Sequence, residues 1–149
     1  GNVPNGGQAN IPLDGPGTSK NVSMIVTAPN GTSKTYSITV HRLAPSTDSN
    51  LSSLTVSAGT LNPSFAAGTL TYTVNVTAGV DSLTVAAIKS DSNAVMSASG
   101  AVIAPAGVAT GSVSRSLGLG TTTVFTVTVI AQDGVSTRLY TINVFRDSR

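Results

Sequence analysis

The sequence predicts an all-β fold, an antiparallel β-sandwich of about seven strands, and three observations carry that prediction. Apolar residues alternate with polar ones, at the period of a half-buried strand, in several separate runs. Turn-forming residues separate those runs at short spacing. No segment shows the 3.6-residue period of a long amphipathic helix.

Taken in chain order, Val22–Ala28 and Tyr36–Val40 form the first pair of runs, joined through Ala28-Pro29-Asn30-Gly31. Leu54 and Val56 begin an earlier strand of the main body. Leu70, Tyr72, Val74 and Val76 then alternate with Thr71, Thr73 and Asn75. Leu83, Val85 and Ala87 form the next set, and the signal weakens around Val95, Ser97 and Val113. Phe125, Val127, Val129 and Ala131 lead into Asp133-Gly134, and Tyr140, Ile142 and Val144 follow. Asp-Gly between two alternating runs is a strong hairpin signal, because both residues tolerate positive φ.

Internal comparison gives the domain organisation. Val22-Ser23-Met24-Ile25-Val26-Thr27-Ala28 aligns with Phe125-Thr126-Val127-Thr128-Val129-Ile130-Ala131. Lys34-Thr35-Tyr36-Ser37-Ile38-Thr39-Val40-His41-Arg42 aligns with Arg138-Leu139-Tyr140-Thr141-Ile142-Asn143-Val144-Phe145-Arg146. Inward positions match inward positions, with one residue inserted in the later turn. The expected organisation is therefore residues 1–42 as the C-terminal strands of a preceding repeat and 43–48 as a linker. Residues 49–146 form one full domain, and 147–149 a tail. Gly1 has no initiator Met before it, so either a leader has been removed or the chain is a piece of a longer protein. The N-terminal hairpin has three possible origins: a cut boundary, a segment folding back on the full repeat, or one completed by another subunit.

Composition narrows the chemistry. Charged residues are 9% of the chain against 40% hydrophobic ones, the reverse of a disordered composition. Cys is absent, which removes disulfides, thiolate metal sites and cysteine nucleophiles. Glu and Trp are absent too. The formal charge of +2, from eight Lys/Arg against six Asp, is scattered and makes no basic face for nucleic acid. No apolar run is long enough to insert in a membrane as a helix.

The chemistry-bearing residues read as structural ones. His41 is the only histidine. It ends a strand where the second copy has Phe145, with no acid near it in sequence. Without another base a serine nucleophile has no relay, and Gly111-Ser112 does not continue into a nucleophile elbow. Gly118-Leu119-Gly120 lies between strands, whereas a phosphate cradle needs a following helix, so it reads as a turn. Asp91-Ser92-Asn93 reads as an Asx-turn. Asn21, Asn30, Asn50 and Asn75 begin glycosylation-type triplets that chance supplies in so Ser/Thr-rich a chain. Lys20, Lys34 and Lys89 raise the question of an isopeptide bond to Asn, a spatial pattern that sequence does not reveal. Tyr36, Tyr72 and Tyr140 lie on apolar strand faces and read as core residues with an edge hydroxyl. No catalytic, cofactor-binding or metal-binding residues are assigned, and no cofactor is expected.

The opening Leu51-Ser52-Ser53-Leu54-Thr55-Val56-Ser57-Ala58-Gly59-Thr60-Leu61-Asn62-Pro63-Ser64-Phe65, with Gly68 to Val76 and Val127 to Val144, forms an ordered series. That series resembles the bacterial cadherin-like β-sandwich domain. The resemblance implies an immunoglobulin-like antiparallel β-sandwich of about seven strands, found in tandem on large exported proteins beside adhesion or carbohydrate-related domains. It implies no chemistry. The calcium sites of animal cadherins do not carry over, since Ca²⁺ takes six to eight oxygen ligands and the only junction acid here is Asp48. The expected function is a non-catalytic structural or interaction module of a bacterial cell-surface or secreted protein. Its partners would be copies of itself or neighbouring domains of the same protein, with no nucleic acid and no membrane insertion. Assembly would run through the N-terminal half-repeat. The alternative is a carbohydrate- or protein-binding adhesion module contacting surface glycans, weakened by a 4% aromatic content and the lack of Trp.

Overall fold

A computed structural model describes residues 1–149. It contains ten strands, no helix and two compact units, Gly1–Pro45 and Ser46–Arg149.

The first unit is built on one hairpin, β1 (Ser19–Thr27) and β2 (Ser33–His41). The turn is closed by the Gly31 amide on the Ala28 carbonyl at 2.9 Å and by the Ala28 amide on the Thr32 carbonyl at 2.8 Å. Asn30 Oδ1 accepts from the Thr32 amide at 3.1 Å, so the Asn side chain stands in for a backbone turn group. Pairing places Val22 opposite Ile38 and Met24 opposite Tyr36. Directly opposed residues share a face, so Val22, Met24, Val26, Tyr36, Ile38 and Val40 line one side. Ser, Thr and Asn dominate the other.

The second unit holds β3 (Leu51–Val56), β4 (Thr71–Val76), β5 (Ser82–Lys89), β6 (Val95–Ala98), β7 (Ala101–Ala104), β8 (Thr110–Ser116), β9 (Thr122–Ile130) and β10 (Thr137–Arg146). These strands form a five-stranded sheet, β4-β10-β9-β6-β7, and a three-stranded sheet, β3-β5-β8. Pairing is antiparallel except between β10 and β4, which run parallel with Ile142 beside Tyr72 and Val144 beside Val74. Two faces of alternating apolar residues meet between the sheets. Leu54, Leu83, Val85 and Ala87 from the smaller sheet meet Tyr72, Val74, Phe125, Val127, Tyr140 and Ile142 from the larger. Full burial of each large side chain contributes roughly 1.5–3 kcal/mol, and no buried side-chain polar atom lacks a partner.

Two tyrosine hydroxyls fasten the β3–β4 connection to this core. Tyr72 donates to the Ala66 carbonyl at 2.9 Å. Tyr140 donates to the Ala67 carbonyl at 2.9 Å and accepts from the Leu51 amide at 3.0 Å. Two glycines permit close approach. Gly59 has φ +73°, and a Cβ there would lie 2.7 Å from Val74 Cγ1 and 2.8 Å from the Asn75 carbonyl oxygen. Gly111 on β8 lets the edge strand β7 come near, since a Cβ would fall 2.8 Å from the Ile103 oxygen.

Several details depart from the sequence expectation. The second unit has eight strands, because the weak stretch after Ser90 divides into β6 and β7 around Ser99 and Gly100, both at positive φ. Leu70 precedes β4 and is 40% exposed, so the inward alternation starts at Tyr72. A register shift between Leu51 and Ser53 puts both Leu51 and Leu54 inside, where strict alternation would separate them. Tyr36, expected in a core, is 50% exposed, because its apolar face has no facing sheet in the first unit.

Candidate functional site

The residues weighed for chemistry lie apart. His41 ends β2, and its Nδ1 lies 2.6 Å from Ser19 Oγ, its cross-strand neighbour. This Ser–His pair was invisible in sequence because the partners are far apart along the chain. Both residues are exposed, and no carboxylate touches the imidazole. Asp91 makes the expected Asx-turn, its Oδ1 accepting from the Asn93 amide at 2.9 Å. Gly118 to Thr121 is a turn, with Thr121 Oγ1 donating to the Gly118 carbonyl at 2.9 Å. Asp48 Oδ1 accepts from the Asn50 amide at 2.9 Å. The Ser90 hydroxyl, then the Asn50 amide, hold the Asp48 carboxyl below its ordinary 3.8. No group of three or more His, Cys, Asp or Glu side chains is placed to hold a metal ion. Lys20 makes one long ion pair to Asp14, 3.5 Å, at the surface.

Lys89 is different. It closes β5 on the inward side and is only 3% exposed. Its three N–H groups are shared among four backbone carbonyls: Ser92 at 3.1 Å, Ala104 at 3.3 Å, Pro105 at 3.0 Å, and Ala94. Two of these belong to the β5–β6 connection and two to the end of β7, so one ammonium ties two loops across the sandwich end. Burial pushes the amine below its ordinary 10.5, and Asp91 nearby pulls it back up. The acceptors are backbone oxygens, and no Asn side chain is among them. The sequence signal for this site was parity: Lys89 continues the inward series Leu83, Val85, Ala87.

A shallow depression on the outer face of the three-stranded sheet is lined by Ser53, Thr55, Ala86, Ile88, Thr110 and Ser112. It offers hydroxyls and methyl groups but no ring on which a sugar could stack.

The two hairpins, β1–β2 and β9–β10, match in their hydrogen bonds as well as their residues. Val22↔Ile38 and Met24↔Tyr36 in the first take the places of Phe125↔Ile142 and Val127↔Tyr140 in the second. Thr18 Oγ1 donates to Gly15 as Thr121 Oγ1 donates to Gly118. The Gly17 amide donates to Arg42 as the Gly120 amide donates to Arg146. Arg42 Nη1 donates to the Asp14 carbonyl at 3.0 Å, and Arg146 Nη1 to the Leu117 carbonyl at 2.7 Å. The two differ in what surrounds them. β9 and β10 have β6 and β4 on their outer edges and a sheet above, and Phe125, Val127, Tyr140 and Ile142 are completely buried. β1 and β2 pair only with each other, and Met24 and Ile38 are each 57% exposed. An apolar sheet face in water is the main unspent binding surface of the chain.

The family model described as Cadherin-like beta sandwich domain matches residues 51–147. No curated protein matches the chain. Domains of this family are typically non-catalytic and generally extracellular or surface-associated, and they point to a structural or interaction module. No helix is long and apolar enough to cross a membrane.

Proposed function

The chain belongs to the cadherin-like β-sandwich domain family, and from that premise we propose that it is a non-catalytic structural and interaction module of a bacterial cell-surface or secreted protein. Residues 46–149 supply a rigid spacer. Residues 1–45 supply the contact surface, through which copies of the chain associate.

One observation carries this reading: the apolar face of Met24, Val26, Tyr36 and Ile38 on a hairpin with no facing sheet, each side chain half or more exposed although the N-terminal segment up to Ile11 lines a cleft with β1. A two-stranded hairpin is not stable alone in water and gains stability by covering such a face. Packing that face against the same face of another copy is an isologous contact and closes a dimer.

The test is light-scattering mass across a concentration series, for the intact chain and for Met24→Asp with Ile38→Asp. Association by the intact chain and a monomeric variant is the expected result. An intact chain that stays monomeric at millimolar concentration overturns the reading.

A further inference from the structure

Face-to-face pairing leaves the outer edge of β2 unused, and that edge carries its own recognition features. This step rests on the reading that the first hairpin is the contact element, and it names the partner. In the second unit, β10 receives β4 in parallel along the equivalent edge. The Thr141 amide donates to the Leu70 carbonyl at 2.7 Å, and the Asp147 amide to the Val76 carbonyl at 2.9 Å. Arg146 then reaches past the end of β4. Its Nε donates to the Ala78 carbonyl at 3.0 Å and its Nη2 to the same oxygen at 2.5 Å.

Each acceptor-side group has a counterpart on the first hairpin. The common register puts the Ser37 amide in the place of Thr141 and the Leu43 amide in the place of Asp147. Arg42 stands for Arg146 and spends only Nη1, on Asp14, so its Nε and Nη2 are left over. Tyr36 stands for Tyr140 but lacks the carbonyl and amide partners that Tyr140 finds on the β3–β4 connection and at Leu51.

We infer that the outer edge of β2 is an acceptor for the opening strands of a separate cadherin-like repeat, one not closed by its own C-terminal hairpin. The incoming strand has the chemistry of β4, an aromatic residue followed by β-branched residues at alternate positions. It lies parallel to β2, and Arg42 holds the carbonyl just beyond its end. Strand addition at a sheet edge supplies the backbone hydrogen bonds, and the free Nε and Nη2 of Arg42 at the end of the incoming strand supply specificity.

Within residues 46–149 the opening strands, β3 to β8, are already closed by β9–β10, so a copy could offer them to β2 only by giving up its own hairpin.

The test supplies a free set of opening strands. Residues 46–117 are fused ahead of Gly1 of the intact chain, and amide hydrogen exchange is followed by NMR. The expected result is that amides of Ser37, Thr39 and Leu43 become protected by at least about a hundredfold relative to the intact chain, as for strands of a cooperative core. Arg42→Leu in the fusion should lower that protection, and Arg42→Lys should not restore it, because a Lys cannot fork onto one carbonyl. Protection within threefold of the intact chain overturns the inference.

If the fusion precipitates, a synthetic peptide of residues 69–79 is titrated into the intact chain. Protection of the same three amides supports the inference, and no change at millimolar peptide overturns it. High protection in the concentrated intact chain alone would make the occupant another copy and also overturn it. The two readings fail separately. An intact chain that never self-associates while the fusion protects β2 refutes only self-association. Self-association lost in Met24→Asp, with β2 unprotected in the fusion, refutes only the strand acceptor.

Discussion

Replacing Lys89 with Met tests whether a buried charge holds the loop end of the sandwich together. Methionine keeps much of the apolar stem and removes the ammonium. Ser92 and Pro105 keep backbone donors after the change, from the Gly107 amide at 2.9 Å and the Val108 amide at 3.0 Å. The Ala94 carbonyl has no such loop donor and is left bare beside the core. Hydrogen bonds to a charged donor contribute about 1.5–3 kcal/mol each, and a buried carbonyl left unpaired costs about 1–3 kcal/mol. Release from burying the ammonium offsets part of this, so a net loss of about 3 kcal/mol is expected. For a domain of about 100 residues that is a fall in Tm of roughly 10–20 °C. The control, Lys34→Met on the exposed hairpin, should stay within about 0.5 kcal/mol. Titration adds a second readout. The folded amine sits below 10.5, the unfolded one at its ordinary value. Between those two values the unfolded chain holds the extra proton, so rising pH favours the folded state, and below the folded value this contribution is constant. The methionine variant lacks the titrating group altogether. In chemical denaturation the gap between the natural chain and Lys89→Met should therefore widen as pH rises towards 10.5. A Tm unchanged within about 2 °C, or a gap that narrows with rising pH, refutes the reasoning.

Three further perturbations follow from the core and its turns. Val127→Asp puts an unpaired charge at a fully buried site and should cost about 4 kcal/mol or more. Thr126→Asp, on the opposite face, should cost about 1 kcal/mol, and equal losses by denaturant titration would mean the register of β9 is wrong. Gly59→Ala should lose about 2–4 kcal/mol, from strain at φ +73° and from contact with Val74 and the Asn75 oxygen. A neutral result in thermal melting would show that β4 can shift away. Asp48 is held below 3.8 chiefly by the Ser90 hydroxyl, so its contribution is full above 3.8 and is lost as pH falls through the folded value. The stability gap between the natural chain and Asp48→Asn should shrink below pH 3.8, and a gap independent of pH would refute the assignment.

Legibility from sequence followed how local each feature is. Alternation located β4, β5, β9 and β10, because a period of two is a property of neighbouring residues. It missed the division into β6 and β7, which depends on Ser99 and Gly100 adopting positive φ in a stretch of small residues without strong alternation. It placed the inward face of β3 imperfectly, since the register shift after Leu51 is a response to pairing with β5. The parallel β4–β10 pair was not legible, because nothing local says which edge a distant strand will join. Lys89 was legible only as a candidate amine. Its parity marked it as inward, but its four acceptors come from two loops that meet only when the sheets stack.

The two hairpins separate what a segment encodes from what its surroundings supply. Val22, Met24 and Ile38 have the alternation of Phe125, Val127 and Ile142, and they reach the same register through an Asx-stabilised turn at Asn30 or Asp133. Strand, partner and register are therefore written within these stretches. Burial is not: one set of side chains is fully enclosed, while Met24 and Ile38 stand more than half exposed. The difference comes entirely from β4, β6 and the facing sheet, none of which has a counterpart around β1 and β2. Arg42 makes the point at one residue, because its Nη1 bond is local to the hairpin while the two donors that Arg146 spends on Ala78 require a strand from elsewhere. Register and the Nη1 contact are thus properties of the hairpin's own stretch, whereas burial and the remaining Arg contacts are properties of the strands around it.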